Sequence, residues 1–351
     1  MMFYVILILG VIVFVGLLGF IYRVFALVNL SKTSGENYER RTGKSAAVNG
    51  LSLIIFFVVG MVAIFWYSDA VKIHYLPEAS SAHGSSIDNL FWITTIVVFI
   101  AFALVNALLL SFPFIYRFKD NRKAYFYADN HKLEIVWTVV PAIVLTVLVL
   151  MGWNVWSSVT APAPTGSLEI EVIGKQFNWM VRYAGKDGKL GRHDFRQIDD
   201  DNAIGMDFKK DFKTNADDFT ASELKLPKGQ NVLLKIRSRD VLHSVFLPHF
   251  RVKMDAVPGM PTSFWFMPTK TTEEMRAQLS KEGRPNAAEF DYILTCTEVC
   301  GNSHFAMKMK VSVLEKAEFD KWYAEQEPWA VKNKEYLQKK GINVGGLALN
   351  K

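Results

Sequence analysis

The chain has 351 residues, half of them apolar, and carries 40 Lys/Arg against 34 Asp/Glu, a formal charge of +6. This length allows one or two domains, and the apolar share is high for a soluble protein. The charge does not describe a nucleic-acid binder: residues 1–156 hold 11 Lys/Arg against 8 Asp/Glu, the remainder 29 against 26, and no basic stripe interleaved with aromatics occurs.

Four uncharged runs, approximately residues 3–22, 46–67, 90–116 and 135–156, are long enough to cross a bilayer, which takes about 20 apolar residues at helical rise. The first reads as a retained span rather than a cleaved signal peptide, because residues 1–5 hold no positive charge and no small-residue cleavage site follows. Arg23, Lys32, Arg40, Arg41 and Lys44 separate the first two runs, and Arg117, Lys119, Arg122, Lys123 and Lys132 the last two. The intervening loop has only Lys72. The positive-inside rule therefore puts both basic loops in the cytoplasm and everything after Trp156 on the outer face. Glu134 stands at the lip of the fourth span. It reads either as a first-turn charge favoured by the helix dipole or as a carboxylate marking a proton path.

After a Pro- and Gly-containing linker at 157–167, the apolar period changes. Residues 168–173 and 231–236 alternate, and 263–267 and 290–295 are short apolar or aromatic runs between turn residues. Short strands at this density predict a β-sandwich or barrel. Residues 192–221 and 269–288 are polar and read as solvated insertions, the second with a short helix. The acidic clusters at Asp199 to Asp201 and at Asp217 and Asp218 are expected to steer a basic partner. Residues 317–340 read as a helix followed by a Gly-containing tail. No Gly-rich phosphate loop and no Cys-x-x-Cys-His haem attachment occurs.

The two cysteines of the chain lie in Cys296-Thr-Glu298-Val-Cys300-Gly-Asn-Ser-His304-Phe-Ala-Met307. Alternation from Met307 to Val313 points Met307 into the domain, where a ligand or a plain core residue would sit. A second imidazole, His243, lies upstream in Asp240-Val-Leu-His243-Ser. A disulfide would leave His304 and Met307 unexplained, and a Cys2His2 zinc site has no use for the methionine. Soft thiolate and thioether donors favour copper over magnesium, calcium or manganese. Two thiolates can bridge two coppers, each taking one histidine, an arrangement suited to one-electron transfer.

These motifs, with Asp255-Ala-Val-Pro-Gly259 and Leu133-Glu134-Ile-Val-Trp-Thr-Val-Val-Pro-Ala142, resemble subunit II of cytochrome c oxidase over about residues 90–313. The resemblance implies an all-β, cupredoxin-like Greek-key domain behind two membrane spans; the four apolar runs instead give membrane α-helical hairpins with four transmembrane helices in all. Residues 1–70 would be two extra spans without counterpart in the family's usual pattern, 71–156 the family's hairpin, 157–316 the copper domain and 317–351 a C-terminal helix and tail. It implies a dinuclear copper centre, CuA, bridged by Cys296 and Cys300, with His243 and His304 as terminal ligands. Met307 and the Glu298 carbonyl would be weak ligands, and the Glu298 side chain would reach a magnesium ion at the contact with subunit I.

Glu134 would stand near the mouth of a proton channel in subunit I. Electrons from a c-type cytochrome would pass to haem a in subunit I, for oxygen reduction coupled to proton pumping. Further expected partners are subunit III, the lipid of a bacterial cytoplasmic membrane and a larger respiratory assembly. Where the family commonly has Trp-Tyr-Trp at the point of electron arrival, this chain has Phe177-Asn-Trp179. The alternatives are a quinol oxidase subunit II, which lacks the copper, and a membrane-anchored copper- or zinc-binding protein with no oxidase role.

Overall fold

The computed structural model describes residues 2–31, 36–71, 75–119, 121–123 and 125–344. They divide into two compact units: residues up to Tyr75 with Thr95–Trp137, and Leu76–Thr94 with everything from Thr138. Four long helices come first: α1 (Met2–Ser31), α2 (Glu36–Val71), α3 (Gly84–Ile115) and α4 (His131–Val159). Ser45–Val71 of α2, together with α3 and α4, are long and apolar enough to cross a membrane. In α1 the apolar stretch among the described residues, Gly16–Val28, is shorter. In lipid every backbone group must bond within its own segment, which selects helices for these runs.

The polar side chains of the spans obey the same constraint. The Ser52 and Thr146 hydroxyls each donate to the carbonyl four residues back, at 2.7 Å. Asn106 donates to the Phe102 carbonyl at 2.9 Å. At the end of α3, Arg117 donates to the Phe114 carbonyl at 2.6 Å and Arg122 to the Ile115 carbonyl at 2.8 Å, so cations cap carbonyls that have no partner in the helix. Helices α2 and α3 approach closely at Gly50, where a Cβ would lie 2.6 Å from the Phe114 Cα. Lys32 and Lys72 of the topology argument fall outside the described residues.

The second unit is a sandwich. Its strands are β1 (Leu168–Lys175), β2 (Asn178–Tyr183), β3 (Phe219–Ala221), β4 (Leu224–Pro227), β5 (Val232–Ser238), β6 (His243–Leu247), β7 (Val252–Ala256), β8 (Thr262–Phe266), β9 (Tyr292–Cys296) and β10 (Lys308–Leu314). One sheet runs β3-β2-β1-β5-β8 and the other β4-β10-β9-β6-β7. Strand alternation fills the core between them: Ile170, Val172, Trp179, Val181, Leu234 and Ile236 from the first sheet meet Val245, Leu247, Leu294, Val311 and Val313 from the second. The expected strands are all present. Met307 precedes β10 by one residue but is fully buried, in line with Met309, Val311 and Val313.

Residues 192–221 are not the solvated loop their polarity predicts. They form a cap on the outer face of the first sheet, where Ile204, Met206 and Phe208 build a second core with Ile173 of β1 and with Trp329, Leu337 and Val344. The polar residues turn inward. Asn202 is 2% exposed and its side-chain oxygen accepts the N–H groups of Gly205 and Met206, at 3.1 and 2.9 Å. Asn215 in the short helix α5 (Phe212–Asn215) donates to the Arg192 and Asp211 carbonyls, at 3.0 and 2.8 Å.

In 269–288 the expected helix is α6 (Thr272–Lys281), started by a capping box between Thr271 and Glu274. The single helix expected over 317–340 is instead three pieces, α7 (Lys316–Ala324), α8 (Trp329–Lys332) and α9 (Lys334–Lys339). Pro328 forces the first break, because the residue before a proline is driven out of helical geometry, and Asn333, with φ of −114°, makes the second.

Beneath the cap lies a buried charge network. Arg182 has no exposed side-chain surface, bonds Asp218 at 2.6 Å and Glu171 at 3.3 Å, and also donates to the Gly191 carbonyl. Arg237 bonds the other oxygen of Glu171 at 2.6 Å. Burial pushes the Glu171 carboxyl up, but Arg182 and Arg237 outweigh it and hold the group below the usual range. At Asp218 burial wins over Arg182 and pushes the carboxyl up to about 6. Arg182→Ala is therefore expected to destabilise the sandwich by about 3–5 kcal/mol, since it leaves the buried Asp218 without its cation and Glu171 with Arg237 alone. Urea unfolding followed by tryptophan fluorescence measures this.

Candidate metal centre

Parity brings the soft donors together. His243 opens β6 and Cys296 closes β9, the two strands pair antiparallel with Val245 opposite Cys296, and both side chains face the sandwich interior. The loop after Cys296 folds back through a 3-10 turn at His304–Ala306, and the Cys296 N–H donates to the Met307 carbonyl at 3.0 Å. Gly301 makes the return possible with φ of 134°, a conformation open to glycine.

The cysteine sulfurs are 3.9 Å apart, nearly twice the disulfide length of about 2.05 Å. The disulfide reading therefore fails. Cys296 Sγ lies 3.8 Å from His243 Nδ1 and 3.2 Å from the Glu298 carbonyl oxygen. Cys300 Sγ lies 3.6 Å from His304 Nδ1 and 3.7 Å from Met307 Sδ. The ligand atoms of His243, Cys296 and Cys300 all fall within 4.8 Å of one another. His243 and Met307 are fully buried, the cysteines nearly so, and His304 is half-buried. Burial and the neighbouring Cys296 push the Cys300 thiol up to about 11, so loading a metal there must displace protons. Two thiols, two imidazole nitrogens, a thioether and a carbonyl fit a soft metal, and the placement of Met307 goes beyond a Cys2His2 zinc site.

Sequence reasoning missed the residues that hold these donors. Asp240 Oδ1 lies 2.8 Å from His243 Nε2, which leaves Nδ1 facing the sulfur. Asp240 Oδ2 accepts the Gln176 N–H at 2.8 Å, and the Gln176 side-chain amide donates to the Cys300 carbonyl at 2.6 Å. One residue of the β1–β2 turn thus grips both metal-facing segments. Burial pushes the Asp240 carboxyl up, but the hydrogen bonds from Gln176 and His243 bring it below its ordinary range. Gly174 has no room for a side chain: a Cβ would lie 2.7 Å from the His243 ring. The available signals were Asp240 three residues before His243 and the Gly174-Lys-Gln176 run.

Trp179 is 1% exposed and meets the His243 ring edge-on, with centroids 5.9 Å apart. Phe177 is half-buried beside Gly301 of the ligand loop, where a Cβ would lie 2.9 Å from the Phe177 ring. Glu298 is half-buried. Glu134 belongs to the other unit. It lies in the first turn of α4, capped by Asn130, with its carboxylate 3.7 Å from His131 Nδ1. The acidic clusters are half internal: Asp218 bonds Arg182, Asp217 accepts the Asp187 N–H at 2.9 Å, and Asp199 pairs with Lys340. Only Asp200 and Asp201 of those five stand exposed.

Residues 68–155 match the family described as cytochrome c oxidase subunit II, transmembrane domain, and residues 168–314 match its periplasmic domain. An alternative cytochrome c oxidase subunit 2 of Bradyrhizobium diazoefficiens is 35% identical over 248 residues, which is 70% of this chain and 80% of that one. A probable cytochrome c oxidase subunit 2 of Rickettsia prowazekii is 27% identical, covering 81% and 82%. The cytochrome c oxidase subunit 2 of Thermostichus vulcanus is 25% identical, covering 70% and 77%.

Removing the carboxylate that fixes His243, as in Asp240→Ala, is expected to weaken metal binding about 10–100-fold. Chelator competition on the purified full chain measures the change.

Proposed function

Because the chain belongs to the cytochrome c oxidase subunit II family, we propose that Cys296, Cys300, His243, His304, Met307 and the Glu298 carbonyl hold a dinuclear CuA centre. The chain is the subunit through which electrons enter a haem-copper terminal oxidase, a membrane protein with a periplasmic domain. The observation that carries the copper reading is the convergence of both sulfurs, both Nδ1 atoms and Met307 Sδ through separations of 3.6 to 3.9 Å. When bound, a copper pair supplies a one-electron acceptor whose charge is spread over two metals.

The protein's part is to fix the donors beforehand. Antiparallel strands set the distance between His243 and Cys296, Asp240 holds the imidazole orientation, and full burial of His243 and Met307 excludes water. Phe177 packs beside Gly301 of the ligand loop and stands where the family commonly has its aromatic of electron arrival, and we take it as the contact for the c-type cytochrome. Trp179 is assigned to hold His243 in place, since it reaches no surface. The exposed pair Asp200 and Asp201 is what remains for attracting a basic donor.

The finer assignments belong to the same proposal. The copper domain spans 157–316 and is followed by the terminal segment 317–351. The family's hairpin spans 71–156, and two further spans lie within 1–70, giving four in all in a bacterial cytoplasmic membrane. The Glu298 side chain faces subunit I and a magnesium ion there. Glu134 stands at the mouth of a proton channel of subunit I, and subunit III and a larger respiratory assembly complete the partners. A metal-binding protein outside an oxidase does not account for the match through the transmembrane domain. A copper-free quinol oxidase subunit has no use for the five converging side chains.

In the purified oxidase, metal analysis with electron paramagnetic resonance is expected to find two coppers at this subunit sharing one unpaired electron, and Cys300→Ser is expected to abolish that signal. A single zinc would overturn the assignment. Phe177→Ala is expected to slow reduction by the cytochrome in stopped-flow measurements, with the copper content unchanged.

A further inference from the structure

Between the outer face of the first sheet and the 192–221 cap lies a cavity of about 440 Å³, within the range of about 300–1,000 Å³ typical of small-molecule sites. Its apolar wall includes Ile173 of β1, Ile198 and Ile204 of the cap, and Val257 and Met260 of the turn between β7 and β8. Its polar lining is His193, Arg237, Ser238 and Arg239, with no carboxylate among the lining residues. The cavity is therefore apolar along most of its length and cationic at one end.

Arg237 is 8% exposed. Its Nε is committed to Glu171 at 2.6 Å, but its Nη2 is buried and has no hydrogen-bond partner. A buried guanidinium N–H left unpaired is unfavourable, so it favours an acceptor. Glu171 is itself divided between Arg237 and Arg182, and so only partly offsets the charge at the cavity. Arg239 is fixed by its backbone N–H on the Gly174 carbonyl at 2.9 Å. Burial and Arg237 both hold His193 below its ordinary range, so the arginines supply the cavity's charge near pH 7.

We propose that this cavity binds a small amphiphilic carboxylate, its head group on Arg237 Nη2 and the Arg239 guanidinium and its hydrocarbon against Ile173, Ile204, Val257 and Met260. Planar guanidinium donors suit a carboxylate, and the apolar wall selects an acid with a hydrocarbon body over free phosphate. The site stands apart from the copper reading, since none of its lining residues is among the metal-facing donors.

The test uses the full chain in lipid nanodiscs, with hexanoate and hexan-1-ol as probes, titrated by saturation-transfer NMR against empty nanodiscs. Hexanoate is expected to bind at least about tenfold more tightly than the alcohol, the ratio one charged hydrogen bond supplies. Arg237→Met is expected to erase that preference while leaving the alcohol's affinity unchanged. Ala203→Trp, which narrows the cavity without touching the Arg182 and Glu171 network, is expected to weaken binding of both probes at least about tenfold with the unfolding temperature maintained. Equal affinities for the two probes, or a hexanoate affinity unchanged by Ala203→Trp, would overturn the proposal, and the Ala203 variant decides the matter if Arg237→Met fails to fold.

Discussion

The pairing of β6 with β9 is the constraint on which the rest depends. It places Val245 opposite Cys296 and so brings His243 beside a cysteine 53 positions away in the chain. Because side chains alternate along a strand, a slip of one residue would turn His243 away from the sandwich interior and point Ser244 there in its place. The inner faces of both strands are filled by Val245, Leu247, Tyr292 and Leu294, all at most 1% exposed. The register is thus locked by core packing along the whole strand, and the metal-facing end inherits its geometry from residues that never approach the donors.

A second layer fixes orientation where register alone leaves freedom. The turn between β1 and β2 belongs to the opposite sheet, yet Gln176 bonds Asp240 through its backbone and the Cys300 carbonyl through its side chain. Trp179 and Gly174 bring the same hairpin against the His243 ring. The two sheets of the sandwich are therefore joined at this end by directed hydrogen bonds as well as by apolar contact. That suits a site whose donors must keep their places through a change of charge.

What the sequence discloses depends on whether the signal is local. The apolar runs became helices because lipid leaves a backbone no other solution, and the donors could be named because Cys296, Cys300, His304 and Met307 lie within one short loop. His243 could be paired with them only through resemblance, since nothing local says which strand returns to which. Residues 192–221 were misread for a related reason. Asn202, Asn215 and Asp218 look like solvent-facing residues, but they are spent on internal hydrogen bonds that hold the cap. Polarity counts do not distinguish a group facing water from one bonded inside. The break at Pro328 was legible and passed over in favour of the helical pattern on either side.

The cap has a consequence for how the domain is made. Its core needs Trp329, Leu337 and Val344 from the end of the described chain as well as Ile204 and Phe208 from the middle. A chain emerging on the far side of a membrane from its N-terminal end can therefore complete the sandwich, and with it the soft-donor loop, before the outer face of the first sheet is sealed. Without those last helical turns, the apolar cluster around Ile173 and Phe208 lacks one of its walls. The cap is thus a joint product of two segments more than 100 positions apart, and its core is complete only when the terminal helical turns have docked on it.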